Sequence, residues 1–393
     1  MLARYLVAAT LARVGDEMVA FTLVLLVLER TDSPALAGLT GASYALPAVV
    51  TGPLLGAWLD RTRYRRTALA INQAVLGGVM LTMLAVVGHT AHWVTPALAA
   101  IAGTTLPLVS GGFTSMLPSL VPQSLLPRAN SLEAASFGAA TITGPAAAAT
   151  ITAAVSVEAA VVVITVAACL SILAIGRLPA LSPAIRDHEP FLSSVVAGLA
   201  HLVRTPRLRA STVSTTALMG MSGVLLITLP LHMASLGAPK AAAGYLWTAL
   251  EIGSVTTALL LGRLQTRWRP EYVVMVAVAA YGLAISTWPL ASSLAVLLVL
   301  AAATGLLEGP MLPAMFAARQ QYSPDALQGR VSTTAASLRV GAAALGQATG
   351  GLLVPIVGTH AALLIVAGGL VVASGLGFVS SYSPKAVSHA KAG

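Results

Sequence analysis

Apolar residues run along this chain in twelve stretches separated by short polar connections. They lie near 5–28, 35–59, 67–88, 94–117, 131–154, 157–178, 209–233, 242–262, 272–291, 294–317, 331–356 and 360–382. A bilayer core about 30 Å thick takes roughly 20 helical residues. The pattern therefore predicts an all-α membrane protein of twelve spanning helices. The longest polar interval, 179–208, is itself patterned: Phe191, Leu192, Val195, Val196, Leu199, Leu202 and Val203 share one helical face. That spacing predicts an amphipathic linker helix lying in the membrane interface.

Charge adds an orientation. All but four of the 22 Lys and Arg fall in the tails or in the loops after spans 2, 4, 6, 8 and 10. Only Arg30 and Lys240 lie in the opposite loops, while Arg13 and Arg339 lie inside spans. The asymmetry puts both termini in the cytoplasm. The net charge of +9 is accounted for as topology determinants and anionic-lipid contacts, so a nucleic-acid partner is not expected. Abundant Ala and Arg with only three Lys point to a GC-rich bacterial source, where a multi-pass helical protein is expected in the inner membrane. Cys169 is the one cysteine, which leaves no disulfide and no thiolate metal site. Span 1 has no small-residue cleavage site after it and reads as a retained span.

The chain also repeats itself. Arg61 and Arg263 close spans 2 and 8 at an offset of 202 residues (263 − 61 = 202), and Arg65/Arg267, Arg128/Arg330 and Gly144/Gly346 share that offset. Two six-span halves related by an axis along the membrane normal follow. The expected division is 1–178 for the first bundle, 179–208 for the linker and 209–393 for the second bundle.

Ionisable groups inside spans are costly and mark function by default. Six qualify: Asp16, Glu17, Glu251, Glu308, Arg13 and Arg339. Arg13 stands three and four residues before Asp16 and Glu17, the spacing of a local ion pair. Glu251 and Glu308 have no base within a turn, and Arg339 is the in-span base available to them in the second half. A carboxyl in low dielectric holds its proton and a nearby Arg loosens it, so such residues suit proton coupling through a central cavity. Glu133 and Glu158 read instead as helix-start residues, the first in a capping arrangement with Ser131. Tyr44, Trp247 and Tyr281 are candidates to line a substrate cavity. Trp93 and Trp288 read as interface-belt residues, and His232 as structural. Pro145 cannot donate to the Thr141 carbonyl, so span 5 should kink at Gly144–Pro145 among small residues.

The connection Gly56-Ala57-Trp58-Leu59-Asp60-Arg61-Thr62-Arg63-Tyr64-Arg65-Arg66 resembles the signature loop of the major facilitator superfamily, G-x-x-x-D-R-x-G-x-R-R, with Arg63 at the second Gly. Gly144-Pro145 is similar to a degenerate form of the antiporter motif of its drug-exporting branches. Arg13-Val14-Gly15-Asp16 and Gln328-Gly329-Arg330 also resemble bacterial exporters of this superfamily, whereas span 4 lacks the Arg of proton-coupled drug exporters. The resemblance implies a cytoplasmic latch built on Gly56, Asp60, Arg61, Arg65 and Arg66. In the second half Gly262 stands where the latch acid would be, so only the first loop should carry the full latch.

These readings converge on export of a small lipophilic molecule by proton antiport. The expected partners are that molecule, protons and membrane lipids, with a monomer sufficient. No G-x-x-x-x-G-K-[ST] loop occurs, so the proton gradient, without a cofactor, is the expected energy source. A lysolipid carrier and a proton-coupled nutrient symporter are the alternatives; a membrane enzyme lacks a clustered nucleophile, metal set or acid pair, and a channel lacks rings of polar side chains.

Overall fold

The computed structural model describes residues 2–62, 64–178, 191–265 and 267–381. Within those stretches, the side chains at 53, 56, 57, 60, 61, 118, 119, 127, 191–195, 262–265, 325 and 326 lie outside the described residues. Span 1 is α1 (Leu2–Thr31). Span 2 is two helices, α2 (Pro34–Ala45) and α3 (Pro47–Arg61), and span 3 is α4 (Arg65–Val86). Span 4 is interrupted: α5 (Val94–Gly103) gives way to a turn, a π-helical turn at Leu108–Gly112 and the short α6 (Leu117–Leu120). Spans 5 and 6 are α7 (Leu126–Ala154) and α8 (Val157–Gly176).

The amphipathic α9 (Phe191–Arg204) precedes α10 (Pro206–Ser235), α11 (Ala243–Gln265) and α12 (Pro270–Ile285), which are spans 7 to 9. Span 10 is broken between α13 (Leu294–Glu308) and α14 (Met311–Tyr322). Spans 11 and 12 run through α15 (Asp325–Ser381), separated at Gly358. Its φ of 78° and ψ of 167° belong to a region open in practice only to glycine.

Nine helical stretches among the described residues are long and apolar enough to cross a membrane, and the last of them is the span 11–12 pair. The two spans outside that set are α1, whose middle carries Arg13, Asp16 and Glu17, and α7, which is rich in small residues and holds Glu133. Both pack within the first bundle, α1 on α7 and α8. Twelve spans in two six-helix bundles result, with no strand among the described residues. Spans 2, 6 and 10 start alike. Ser33, Ser156 and Ser293 each accept a bond from the backbone N–H three residues on, at 3.2, 3.2 and 3.4 Å, filling one of the orphan donors of a helix start.

The bundles meet along two pairs of helices that the repeat makes equivalent. In one, α2 lies on span 11, where a Cβ at Gly38 would stand 2.3 Å from the Gln347 carbonyl oxygen. In the other, α11 lies on α7, where a Cβ at Gly244 would stand 2.6 Å from the Pro145 carbonyl. Thr248 donates to the Ile142 carbonyl at 3.2 Å, and the Thr150 and Tyr245 hydroxyls are 3.0 Å apart. Lys240 reaches Asp32 and the Leu28 carbonyl, both at 3.3 Å. All these contacts lie in the halves of the spans remote from the N-terminus. The bundles are thus closed on that distal face, and the described contacts across the arginine-rich face are sparse.

Candidate functional site

Four carboxyls gather at the seam. Asp16 and Glu17 come from the middle of α1, Glu251 from α11 and Glu308 from the last residue of α13. All four are half-buried. Asp16 and Glu17 lie within range of each other's charge, as do Glu17 and Glu251, and Glu251 and Glu308. The row therefore crosses from the first bundle to the second. Among the described residues none of the four has a basic partner within ion-pair distance.

Aromatic groups surround this row. Tyr44 on α2 is buried and donates its hydroxyl to Asp16 Oδ1 at 3.0 Å. Tyr281 on α12 is buried within range of Glu308 and Glu251. Trp247 stands one turn before Glu251, with its indole N–H buried and without an acceptor. Glu308 also ends a half-helix at the Gly309–Pro310 break, where carbonyls without intrahelical partners favour positive charge nearby.

Gly144 explains how α1 delivers Glu17 to the seam. A Cβ on Gly144 would lie 2.5 Å from Glu17 Cβ, so only glycine lets α7 and α1 approach this closely. Its repeat mate does the same work: a Cβ at Gly346 would lie 1.8 Å from the Gly220 carbonyl oxygen of α10. Pro145, inside α7, carries the carbonyl that faces Gly244 across the seam.

Both in-span arginines belong elsewhere. Arg13 does not serve Asp16 or Glu17; it forms a buried ion pair with Glu133 on α7, donates to Ser136 Oγ at 2.9 Å and lies 4.4 Å from the Phe137 ring centre. Thr114 donates to the same carboxylate oxygen at 2.8 Å. Glu133 is correspondingly no cap residue, because α7 begins seven residues earlier, at Leu126. Arg339 does not pair with Glu251 or Glu308; its Nη1 donates to Met315 Sδ at 2.9 Å. Helix facing decides both cases, and a spacing rule along one helix cannot see it. Trp288 is not an interface-belt residue: it is fully buried and donates to Thr304 Oγ1 at 3.0 Å, because the connection after Ile285 folds inward. Trp93 is 72% exposed. Glu158 pairs with Arg30 at 2.9 Å near the start of α8, and buried His232 packs against His360.

Of the loop between spans 2 and 3, Arg65 is buried and donates from Nε to the Leu59 carbonyl at 2.9 Å, and Arg66 donates to the Leu178 carbonyl at 2.8 Å. Those bonds fasten the loop to its own helix and to the end of span 6. The side chains of Gly56, Asp60 and Arg61 lie outside the described residues. On α9, Leu202 is buried while Val196, Leu199 and Val203 are exposed; Phe191, Leu192 and Val195 lie outside the described residues.

Comparison with known proteins agrees with this architecture. The family model described as Major Facilitator Superfamily matches residues 5–232 and again 211–393. The MFS-type transporter y4rN of Sinorhizobium fredii is 30% identical over 92% of this chain and 90% of its own length. The multidrug efflux pump Tap of Mycolicibacterium fortuitum is 27% identical over 97% of this chain and 95% of its own. Among solved structures, the nucleoside transporter NupG superposes with a TM-score of 0.75 at 14% identity, covering 97% of this chain and 99% of that one. That likeness is one of fold.

Proposed function

We propose, for a chain that belongs to the major facilitator superfamily, that it exports a small lipophilic molecule by alternating access, driven by inward proton movement. The protein is a multi-pass membrane transporter and not an enzyme. In this reading it sits in a bacterial inner membrane as a monomer with both termini cytoplasmic, and the conformation described is the inward-facing one. The substrate, protons and lipids are its partners, and the proton gradient replaces any cofactor.

The observation that carries the proposal is the row Asp16–Glu17–Glu251–Glu308. Carboxyls without bases at the seam between two moving bodies change surroundings whenever the bodies move, and so take up protons on one side and release them on the other. The match to a multidrug efflux pump supports the outward direction. The latch on Asp60 would steady the opposite, outward-facing state.

Proteoliposomes supply the test, with ethidium as the probe and a pH gradient imposed. Wild type should accumulate or expel the dye according to the gradient, and Glu251→Gln or Glu308→Gln should abolish the response while eluting as folded protein. Equal transport with the gradient collapsed would remove the coupling.

One observation favours the lipid-carrier reading. A largely apolar groove of about 530 Å³ opens between α9, α10 and span 11, lined by Leu199, Val213 and Leu345 among others. It lies within one bundle and none of the four carboxyls lines it, so it ranks second.

A further inference from the structure

In the second bundle two guanidinium groups converge on one sulfur. Arg319 on α14 donates from Nη2 to Met315 Sδ at 3.3 Å, and Arg339 on span 11 donates from Nη1 to the same atom at 2.9 Å. The two cations lie within range of each other's charge. Arg319 is 6% exposed and Arg339 is half-buried, with its Nε sealed from solvent and lacking an acceptor. Phe316 lies under Arg319, its ring centre 6.0 Å from the guanidinium carbon. Among the described residues neither arginine has a carboxylate partner.

Arginine keeps its proton inside proteins, so titration cannot relieve this pair. Withdrawing each charge from water is costly unless an anion or several good acceptors replace the lost hydration. A thioether is a weak acceptor, and here one thioether serves two like charges. An anion between them would turn the repulsion into two attractions and satisfy the idle donor. We propose that Arg319 and Arg339 form an anion-binding site for a carboxylate or phosphate-type group, which their planar forks are shaped to grip.

The site is separate from the acidic row. Arg319 lies on α14, beyond the Gly309–Pro310 break and toward the arginine-rich face, and Arg339 lies on span 11, whereas Glu308 ends α13. Its anion can come from a soluble acid or from a lipid headgroup; the chemistry is shared. The proposal does not depend on proton coupling or on transport direction, because its test reads binding alone.

Full-length protein in neutral detergent would be melted while inorganic phosphate or benzoate replaces chloride at constant ionic strength. A parallel arm uses nanodiscs in which phosphatidylglycerol replaces phosphatidylcholine in steps. At least one of these anions should raise Tm saturably, and half-saturation should move about ten-fold or more higher in Arg319→Gln and Arg339→Gln. A shift with phosphate or benzoate assigns the soluble source; a shift with phosphatidylglycerol alone assigns the headgroup. In the chloride baseline, the Gln variants should melt no lower than wild type, since each removes one of two like charges. Arg339→Lys, which keeps the charge and loses the fork, should bind with intermediate affinity and serves if a Gln variant does not fold. No anion-dependent shift in wild type, or equal half-saturation in wild type and the variants, would overturn the site.

Discussion

Arg13 and Glu133 show what an ion pair costs and contributes when their side chains are only 1% and 7% exposed. Removing one partner strands the other charge, a loss of about 3–5 kcal/mol. Arg13→Gln or Glu133→Gln should therefore lower the melting temperature in detergent sharply, and the double variant should recover much of it. A double variant no more stable than either single one would show that the pair is not what holds α1 to α7. The four seam carboxyls could be found from sequence because a charge in an apolar run stands out whatever the fold. Their neighbours could not. Arg13 and Glu17 stand one turn apart on α1, yet Arg13 meets Glu133 while Glu17 passes Gly144 toward Glu251. Arg319 carries no such signal, because along the sequence it reads as one more positive-inside residue near a loop.

Among the elements, the paired glycines carry the clearest consequence. Gly144→Ala would push a methyl group against Glu17 Cβ, and Gly346→Ala would push one against the Gly220 carbonyl. Both contacts are made by backbone or by a Cβ fixed to it, neither of which can swing aside, so both should destabilise by about 1–3 kcal/mol, the closer contact at Gly346→Ala the more. Equal melting of Gly346→Ala and wild type would contradict the close helix crossing. The 202-residue offset already paired these glycines in the sequence. It did not expose the matching interruptions of spans 4 and 10, at Thr104–Thr105 and Gly309–Pro310, because proline is common in membrane helices and seldom says by itself whether a helix bends or breaks. Those breaks matter for the site, since one of them puts Glu308 at a helix end. The amphipathic linker was legible in its period but not in its seat: Gly198 fits against Arg330 and Thr334 of span 11, a contact that no hydrophobic pattern encodes.

For the whole molecule, the closed distal face rests on backbone-close packing more than on charge. Asp32 is 87% exposed where it meets Lys240, so Lys240→Ala should cost less than about 1 kcal/mol, as read from its melting temperature. The acidic row acts in the opposite sense. With the distal seam closed, Glu17 and Glu251 lie within range of each other's charge, so protonation should favour this conformation and deprotonation should drive the seam apart. The direct measurement is the distance between spin labels at Tyr64 and Trp268, exposed residues on the arginine-rich faces of the two bundles, in a Cys169→Ala background. As the pH is raised the distance should shorten in otherwise wild-type protein, and it should stay fixed when Asp16, Glu17, Glu251 and Glu308 are all replaced by their amides. The same pH response with all four carboxyls gone would contradict the account.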